Sequence, residues 1–230
     1  MTTKRIAVVE NILSANDRLA QTNRDMLDQH NVFAINFMAS PGAGKTSVIA
    51  RVVEALKPRH RLVGIDGDIA TTIDSDRMTA MGIPAVQINT GGACHLDAAM
   101  LHGALSKIDL TGTDIIIIEN VGNLICPASF KLGTHLDVLI ASVPEGDDKP
   151  YKYPPMYRGV QAVVLNKMDL LPYFDFDMAY FQRGVEALNP GLAFFPLSAK
   201  TGEGVDTFLE LLEARVREYK GNLAHVVSSP

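Results

Sequence analysis

Short apolar runs alternate with amphipathic segments along most of the chain. Candidate strands are Val32–Met38, Arg61–Asp66, Ala85–Asn89, Asp114–Glu119, Val138–Val143, Val160–Asn166 and Phe194–Leu197. Several lack any polar alternation. Ile115-Ile116-Ile117-Ile118 is the extreme case, as expected for a strand covered on both faces of a parallel sheet. Between the runs, Lys45–Leu56, Thr72–Met81, Leu96–Leu105, Phe176–Leu188 and Val205–Tyr219 carry helical spacing. This alternation predicts an α/β fold, a doubly wound, mostly parallel sheet with helices on both faces. Ligands of such sheets sit at the carboxyl ends of the strands. Ahead of the sheet, Ser14 to His30 reads as a polar helix capped by Ser14. Residues 1–31 are thus expected to pack as a helical segment on a domain spanning 32–220, with 221–230 a flexible tail. Pro144 to Pro155 is too long and too polar for a plain connector. It reads either as a functional loop or as an exposed one without a role.

Composition narrows the class. The 230 residues carry 21 Lys+Arg against 26 Asp+Glu, a net charge of −5, with no run of basic residues. Binding to nucleic acid or to an anionic membrane surface is not expected. No apolar stretch has the length of a membrane span, and no secretory signal is read at the start. Two Cys exclude a disulfide framework, so a cytoplasmic enzyme or switch is the expectation.

The first strand candidate runs into Ala39-Ser40-Pro41-Gly42-Ala43-Gly44-Lys45-Thr46-Ser47 and then into a helix. This is the phosphate-loop pattern in its strand–loop–helix setting, with Ala39 in place of the first Gly. Gly42 and Gly44 allow the backbone to curl after Pro41 so that successive N–H groups, from Gly42-Ala43-Gly44 into Ser47, surround phosphates. Lys45 is expected on the β- and γ-phosphates and the Thr46 hydroxyl on Mg²⁺. Asn166-Lys167-Met168-Asp169 ends a later strand. A carboxylate there accepts the paired N–H donors of guanine, a pair adenine lacks, so Asp169 predicts GTP and GDP as ligands. Asn166 would tie the base loop to the phosphate loop, and the Lys167 stem would cover the base. Ser198-Ala199-Lys200 follows another strand and resembles the loop that contacts guanine O6. Asp68, at the end of Arg61–Asp66 and its extension, and Glu119 are candidates for the Mg²⁺ shell. The Gly122 N–H is placed to sense the γ-phosphate. No Gln follows Gly122 to position water, so slow hydrolysis is expected.

Cys94-His95 and Cys126 follow two successive strands on the nucleotide side, with Cys94-His95 expected to open a helix. Thiolate and imidazole suit Ni²⁺ and Zn²⁺. By spacing alone, the alternative that both Cys are small buried residues stands open. His102 reads as a surface residue. Three ligands leave tetrahedral Zn²⁺ one short, which a second chain on a two-fold axis can supply. Cys126 lies in the segment that contains Gly122, so one metal ligand is expected to follow nucleotide state.

Taken together, Val8-Val9-Glu10-Asn11-Ile12-Leu13, the phosphate loop, Gly67-Asp68-Ile69-Ala70-Thr71, Gly91-Gly92-Ala93-Cys94-His95-Leu96, Glu119-Asn120-Val121-Gly122-Asn123-Leu124-Ile125-Cys126-Pro127 and Glu145-Gly146-Asp147-Asp148-Lys149-Pro150 resemble the HypB hydrogenase-maturation GTPases. The resemblance covers about residues 6 to 220. It implies a phosphate-loop GTPase of the dimerising metal-insertion type, delivering nickel for [NiFe]-hydrogenase. It also implies a GTP-favoured homodimer, with Cys94, His95 and Cys126 holding nickel or zinc at the interface. A nickel-binding accessory protein of the HypA type and the hydrogenase large subunit are the implied partners. Lys149 is expected to reach the nucleotide or the partner chain, against the alternative of a solvated Lys. Two departures are Ala39 and the lack, ahead of the first helix, of the Cys-rich or His-rich tract that many relatives carry. The urease relatives carry Cys-Pro-His in the corresponding loop. Here Cys126-Pro127 is followed by Ala128, which favours hydrogenase. A regulatory GTPase with a structural zinc and a urease-type nickel inserter are the other readings.

Overall fold

The structure, a computed structural model, describes the backbone of residues 8–68 and 73–227. Seven strands form one sheet: β1 (Phe33–Ala39), β2 (Leu62–Asp68), β3 (Ala85–Asn89), β4 (Ile115–Glu119), β5 (Leu136–Ser142), β6 (Ala162–Asn166) and β7 (Ala193–Pro196). Their order is β3-β2-β4-β1-β5-β6-β7, and every pair is parallel. The helices are α1 (Val8–Gln29), α2 (Lys45–Leu56), α3 (Ile73–Ala80), α4 (Ala98–Leu105), α5 (Lys149–Lys152), α6 (Pro154–Gly159), α7 (Met178–Leu188) and α8 (Val205–Val227).

The isoleucine run of β4 explains the layering. Successive strand residues point to opposite faces. Ile115 and Ile117 pack into the core shared with α2 and α8, while Ile116 and Ile118 pack into the core beneath α1 and α4. A third apolar cluster joins β5 and β6 to Tyr157 of α6 and to Phe181 and Val185 of α7. Chain order reverses around β1. The connection from β1 leads to β2 on one side, and β5 lies on the other. That reversal opens a crevice at the carboxyl ends of β1, β4 and β5.

Four local readings are corrected. The first helix begins at Val8, so Ser14 is an interior helical residue, and its hydroxyl accepts from Arg18 at 2.8 Å rather than capping. Helix α4 begins at Ala98, not Leu96, because the Asp97 carboxylate accepts the Met100 N–H at 2.8 Å and caps it. Cys94 and His95 therefore precede the helix and do not stand at its N-terminus. Pro144 to Pro155 is largely helical, with α5 and the start of α6 separated by Tyr153. Pro at the first turn of each is well suited to that position. Helix α8 continues through Val227, beyond the Gly221 at which the tail was expected.

Candidate functional site

The phosphate loop links β1 to α2. Gly42 and Gly44 hold φ of 80° and 93°, values that L side chains rarely adopt. Gly44 is further constrained by approach: a Cβ there would lie 2.4 Å from Asn166 Nδ2. Across the crevice, Glu119 at the end of β4 is 1% exposed. Its Oε1 accepts from Lys45 Nζ at 2.8 Å and from the Thr46 hydroxyl at 2.7 Å. Its Oε2 is buried without a hydrogen-bond partner. A buried carboxylate oxygen left in this state is costly, and a cation or its water shell would satisfy it. The donor set of Thr46 and Glu119 therefore fits Mg²⁺. Asp68 ends β2, but its side chain and residues 69–72 lie outside the described residues. The backbone of Gly122 packs on Pro41, where an added Cβ would come within 3.3 Å. This brings the Glu119–Gly122 segment against the phosphate loop.

The base-recognition candidates converge from β6 and β7. Asn166 Nδ2 donates to the Ala43 carbonyl at 3.0 Å, and its Oδ1 accepts from the Ala199 N–H at 3.0 Å. One buried amide thus ties the phosphate loop to the Ser198-Ala199-Lys200 loop. Lys167, at φ 63°, donates from Nζ to the Gly42 carbonyl at 2.6 Å. The Ser198 hydroxyl donates to Asp169 Oδ1 at 2.7 Å, which orients the carboxylate. Such a carboxylate discriminates by leaving a mismatched base with unpaired groups. Lys149 sits in α5 with its Nζ 5.5 Å from the Tyr153 ring centre.

Two residues of this region were not singled out individually in the sequence. Arg51 of α2 donates from Nε to the Ala199 carbonyl at 2.8 Å and so braces the Ser198-Ala199-Lys200 loop. Glu145, quoted only within a longer motif, is hydrogen-bonded by the Ser40 hydroxyl of the phosphate loop and by Ser142 at 2.8 Å. Burial pushes the Glu145 carboxyl above its usual range, opposed by Ser142 and by the charges of Lys149 and Lys167. The charge of Lys149 is thereby felt next to the phosphate loop.

Cys94, His95 and Cys126 are brought together, with one ligand atom from each within 4.8 Å of the others. The two Sγ atoms are 2.9 Å apart, and Cys94 Sγ is 3.8 Å from His95 Nδ1. Cys94 is exposed and Cys126 only partly covered, so the reading of both as small buried residues is not met. Asn123 clasps the two segments: its Nδ2 donates to the Cys94 carbonyl at 3.1 Å, while its Oδ1 accepts from the Ile125 N–H at 2.9 Å. The His95 ring lies on Phe130, centres 4.0 Å apart. Burial lowers the His95 pKa, which favours the neutral imidazole that ligates a metal. The adjoining Cys94 thiol holds Cys126 above the ordinary thiol range, so metal must displace its proton. The pair of thiols and the imidazole fit a soft or borderline divalent ion such as Ni²⁺ or Zn²⁺.

Helix α1 supports this site from behind. The side chain of Asn16 accepts the Ala98 N–H at 2.9 Å and donates to the Lys131 carbonyl at 2.9 Å. Asn23 donates to the carbonyls of Ala98 and Leu132, and His102 pairs with it at 2.9 Å, so His102 is not a free surface residue.

Comparison with known proteins agrees with this geometry. Residues 33–196 match the nucleotide-binding domain of the CobW/HypB/UreG family. The hydrogenase maturation factor HypB of Azotobacter vinelandii is 44% identical over 210 residues, covering 91% of this chain and 69% of the relative. That of Escherichia coli K12 is 42% identical, covering 94% of this chain and 74% of the relative. Among solved structures, HypB from Helicobacter pylori in complex with nickel superposes with a TM-score of 0.84 at 36% identity, over 89% of this chain and 96% of that one. HypB from Archaeoglobus fulgidus gives 0.82 at 35% identity, over 88% and 99%. The chain belongs to the CobW/HypB/UreG family, among its HypB hydrogenase maturation factors.

Proposed function

We propose that the protein is a GTP-hydrolysing nickel metallochaperone, an insertion switch for [NiFe]-hydrogenase. The observation that carries this reading is continuity. One short stretch, residues 119–126, begins at the carboxylate bonded to Lys45 and Thr46, passes Pro41 at Gly122 and ends at the thiol of Cys126. Nucleotide chemistry and metal chemistry therefore share one backbone segment. The nickel-bound relative from Helicobacter pylori supports nickel as the cargo.

In this reading Lys45 neutralises charge on the β- and γ-phosphates, while Thr46 and Glu119, with Asp68, hold Mg²⁺. The ion supplies electrostatic stabilisation of the transferring phosphoryl group. Lys45 is now paired with Glu119, so nucleotide entry exchanges that partner for phosphate oxygens. Asp169 selects guanine. Asn166 and Lys167 hold the base loop on the phosphate loop, with Ser198, Ala199 and Lys200 closing the other side. GTP favours a homodimer whose interface includes the metal site, with the second protomer completing the three-ligand set, and Lys149 acts at the nucleotide or across that interface. Nickel arrives from an accessory protein of the HypA type and leaves toward the hydrogenase large subunit. Zn²⁺ is a competing occupant of the same ligands. No helix among the described residues is long and apolar enough to cross a membrane, and the proposed site of action is the cytoplasm.

Two variants test the reading. Lys45→Ala is expected to lower GTP turnover by on the order of 10²-fold or more. Cys94→Ala is expected to remove tight nickel binding and retain GTP binding. Wild-type turnover in the first, or unchanged nickel affinity in the second, contradicts the corresponding half.

A further inference from the structure

Asn120 is where the 119–126 segment is fastened. It is 1% exposed and directly follows Glu119. Its own N–H donates to the Phe37 carbonyl at 3.0 Å, extending the pairing of β4 with β1. Its side-chain Oδ1 accepts two backbone N–H groups, Leu96 at 3.1 Å and Val121 at 2.9 Å. Leu96 immediately follows the metal-ligand candidate His95, and its own side chain is fully buried. Val121 immediately precedes Gly122, which rests on the phosphate loop.

The orientation of this amide is determined by its other edge. Asn120 Nδ2 donates to Asn36 Oδ1 at 3.2 Å, and Asn36 Nδ2 donates to Asp137 Oδ1 at 3.0 Å. Asp137 Oδ1 also accepts from the Thr134 hydroxyl at 2.8 Å. A flipped Asn120 would set its NH₂ against two N–H donors and its oxygen against another oxygen. Asn36 and Asn120 are both buried, so each broken link leaves a desolvated polar group.

We propose that Asn120 is the positioning residue that couples nucleotide sensing to the metal site. One oxygen holds both the loop at Gly122 and the backbone beside His95. When the Val121-Gly122 backbone moves relative to the phosphate loop, either a buried bond is lost or the Leu96 backbone follows, taking His95 with it. A cavity of about 80 Å³ adjoins the turn that follows Cys126, lined in part by Asn36, Pro127, Ala128, Phe130 and Asp137. The Cys94–His95 and Cys126 arms of the site are thereby set against one another by the state of the Gly122 loop. The inference deepens the GTP-dependent nickel reading and rests on it.

The test is a ratio of nickel affinities, measured by chelator competition on the full chain in its GDP and non-hydrolysable GTP-analogue forms. For the wild type a ratio of about 5- to 150-fold is expected, the usual span of coupling between sites. In Asn120→Leu, which removes the shared acceptor, the ratio is expected to fall to within about twofold of one. If Asn120→Leu does not fold, Asn36→Ala is scored instead. That variant frees the amide to turn, and a clear fall in the ratio is again expected. A wild-type ratio of one overturns the nucleotide-coupled reading itself. A wild-type ratio well away from one that is unchanged in Asn120→Leu, or in Asn36→Ala, overturns the role of Asn120 alone.

Discussion

Gly44→Ala separates the two constraints on the phosphate loop. At φ 93°, an L residue pays about 1–2 kcal/mol for left-handed backbone. The new Cβ would also lie 2.4 Å from Asn166 Nδ2, which must move away from the Ala43 carbonyl it now bonds at 3.0 Å. Losing that buried bond adds about 0.5–1.5 kcal/mol. The sum is about 1.5–3.5 kcal/mol, or roughly 3–14 °C in Tm for a chain of this size. Gly42→Ala is the internal control: φ is 80°, but no atom lies within 4 Å of its Cβ, so only the backbone strain remains. Thermal unfolding without nucleotide should rank wild type above Gly42→Ala and Gly42→Ala above Gly44→Ala. A fluorescent guanine nucleotide should bind Gly44→Ala at least tenfold more weakly, because Asn166 also holds the base loop. Equal Tm for the two variants would refute the close approach, and a wild-type Tm for Gly44→Ala would refute both constraints.

Asp169→Asn should weaken GTP binding and favour xanthosine triphosphate, since an acceptor becomes a donor. Equal GTP affinity in that variant would remove Asp169 from the base site. Lys149→Ala should lower GTP-dependent dimerisation or turnover, read by light scattering and phosphate release, and no change in either would return Lys149 to solvent. His135 predicts an acid limit at the opposite end of the sheet. Its Nδ1 accepts the Ala34 N–H at 2.9 Å and its Nε2–H donates to Asp28 at 2.8 Å, so the ring is neutral, and burial holds its pKa to about 4 against an ordinary 6.5. Below 6.5 the unfolded chain gains a proton that the folded chain refuses. This stability is present above pH 6.5 and lost as pH falls toward 4, about 3 kcal/mol in all at roughly 1.36 kcal/mol per unit. Denaturant unfolding should show that slope in the wild type but not in His135→Asn, and parallel profiles would contradict it.

Much of the architecture is legible in the residues because burial on both faces writes itself as unbroken apolar strands. The isoleucines of β4 and the valines of β6 are clear examples. The phosphate loop and the candidate base loop stand out in the residues because their chemistry demands particular residues at fixed spacing. What is not legible depends on local competition or on distant partners. The start of α4 turns on the Asp97 carboxylate reaching Met100, a choice that periodicity does not register. The helices of 149–159 are too short for a periodic pattern. Asn16, Asn36 and Asn120 read as ordinary polar residues, yet folding places each where two backbone or amide groups need satisfying. Spacing alone left Cys94 and Cys126 ambiguous. Their meeting depends on β3 and β4 lying on either side of β2 and on the clasp of Asn123, which only the tertiary structure brings together.

The central claim, that one backbone segment serves both nucleotide and nickel, is tested most directly from the nucleotide side. A non-hydrolysable GTP analogue is titrated into apo and nickel-loaded protein at fixed pH and salt. Because linkage is reciprocal, the account predicts that nickel changes analogue affinity by the same factor by which the analogue, relative to nucleotide-free protein, changes nickel affinity. That factor should lie at about fivefold or more. Identical analogue affinity with and without nickel would contradict the account, leaving a nucleotide site and a metal site that share a chain but not a function.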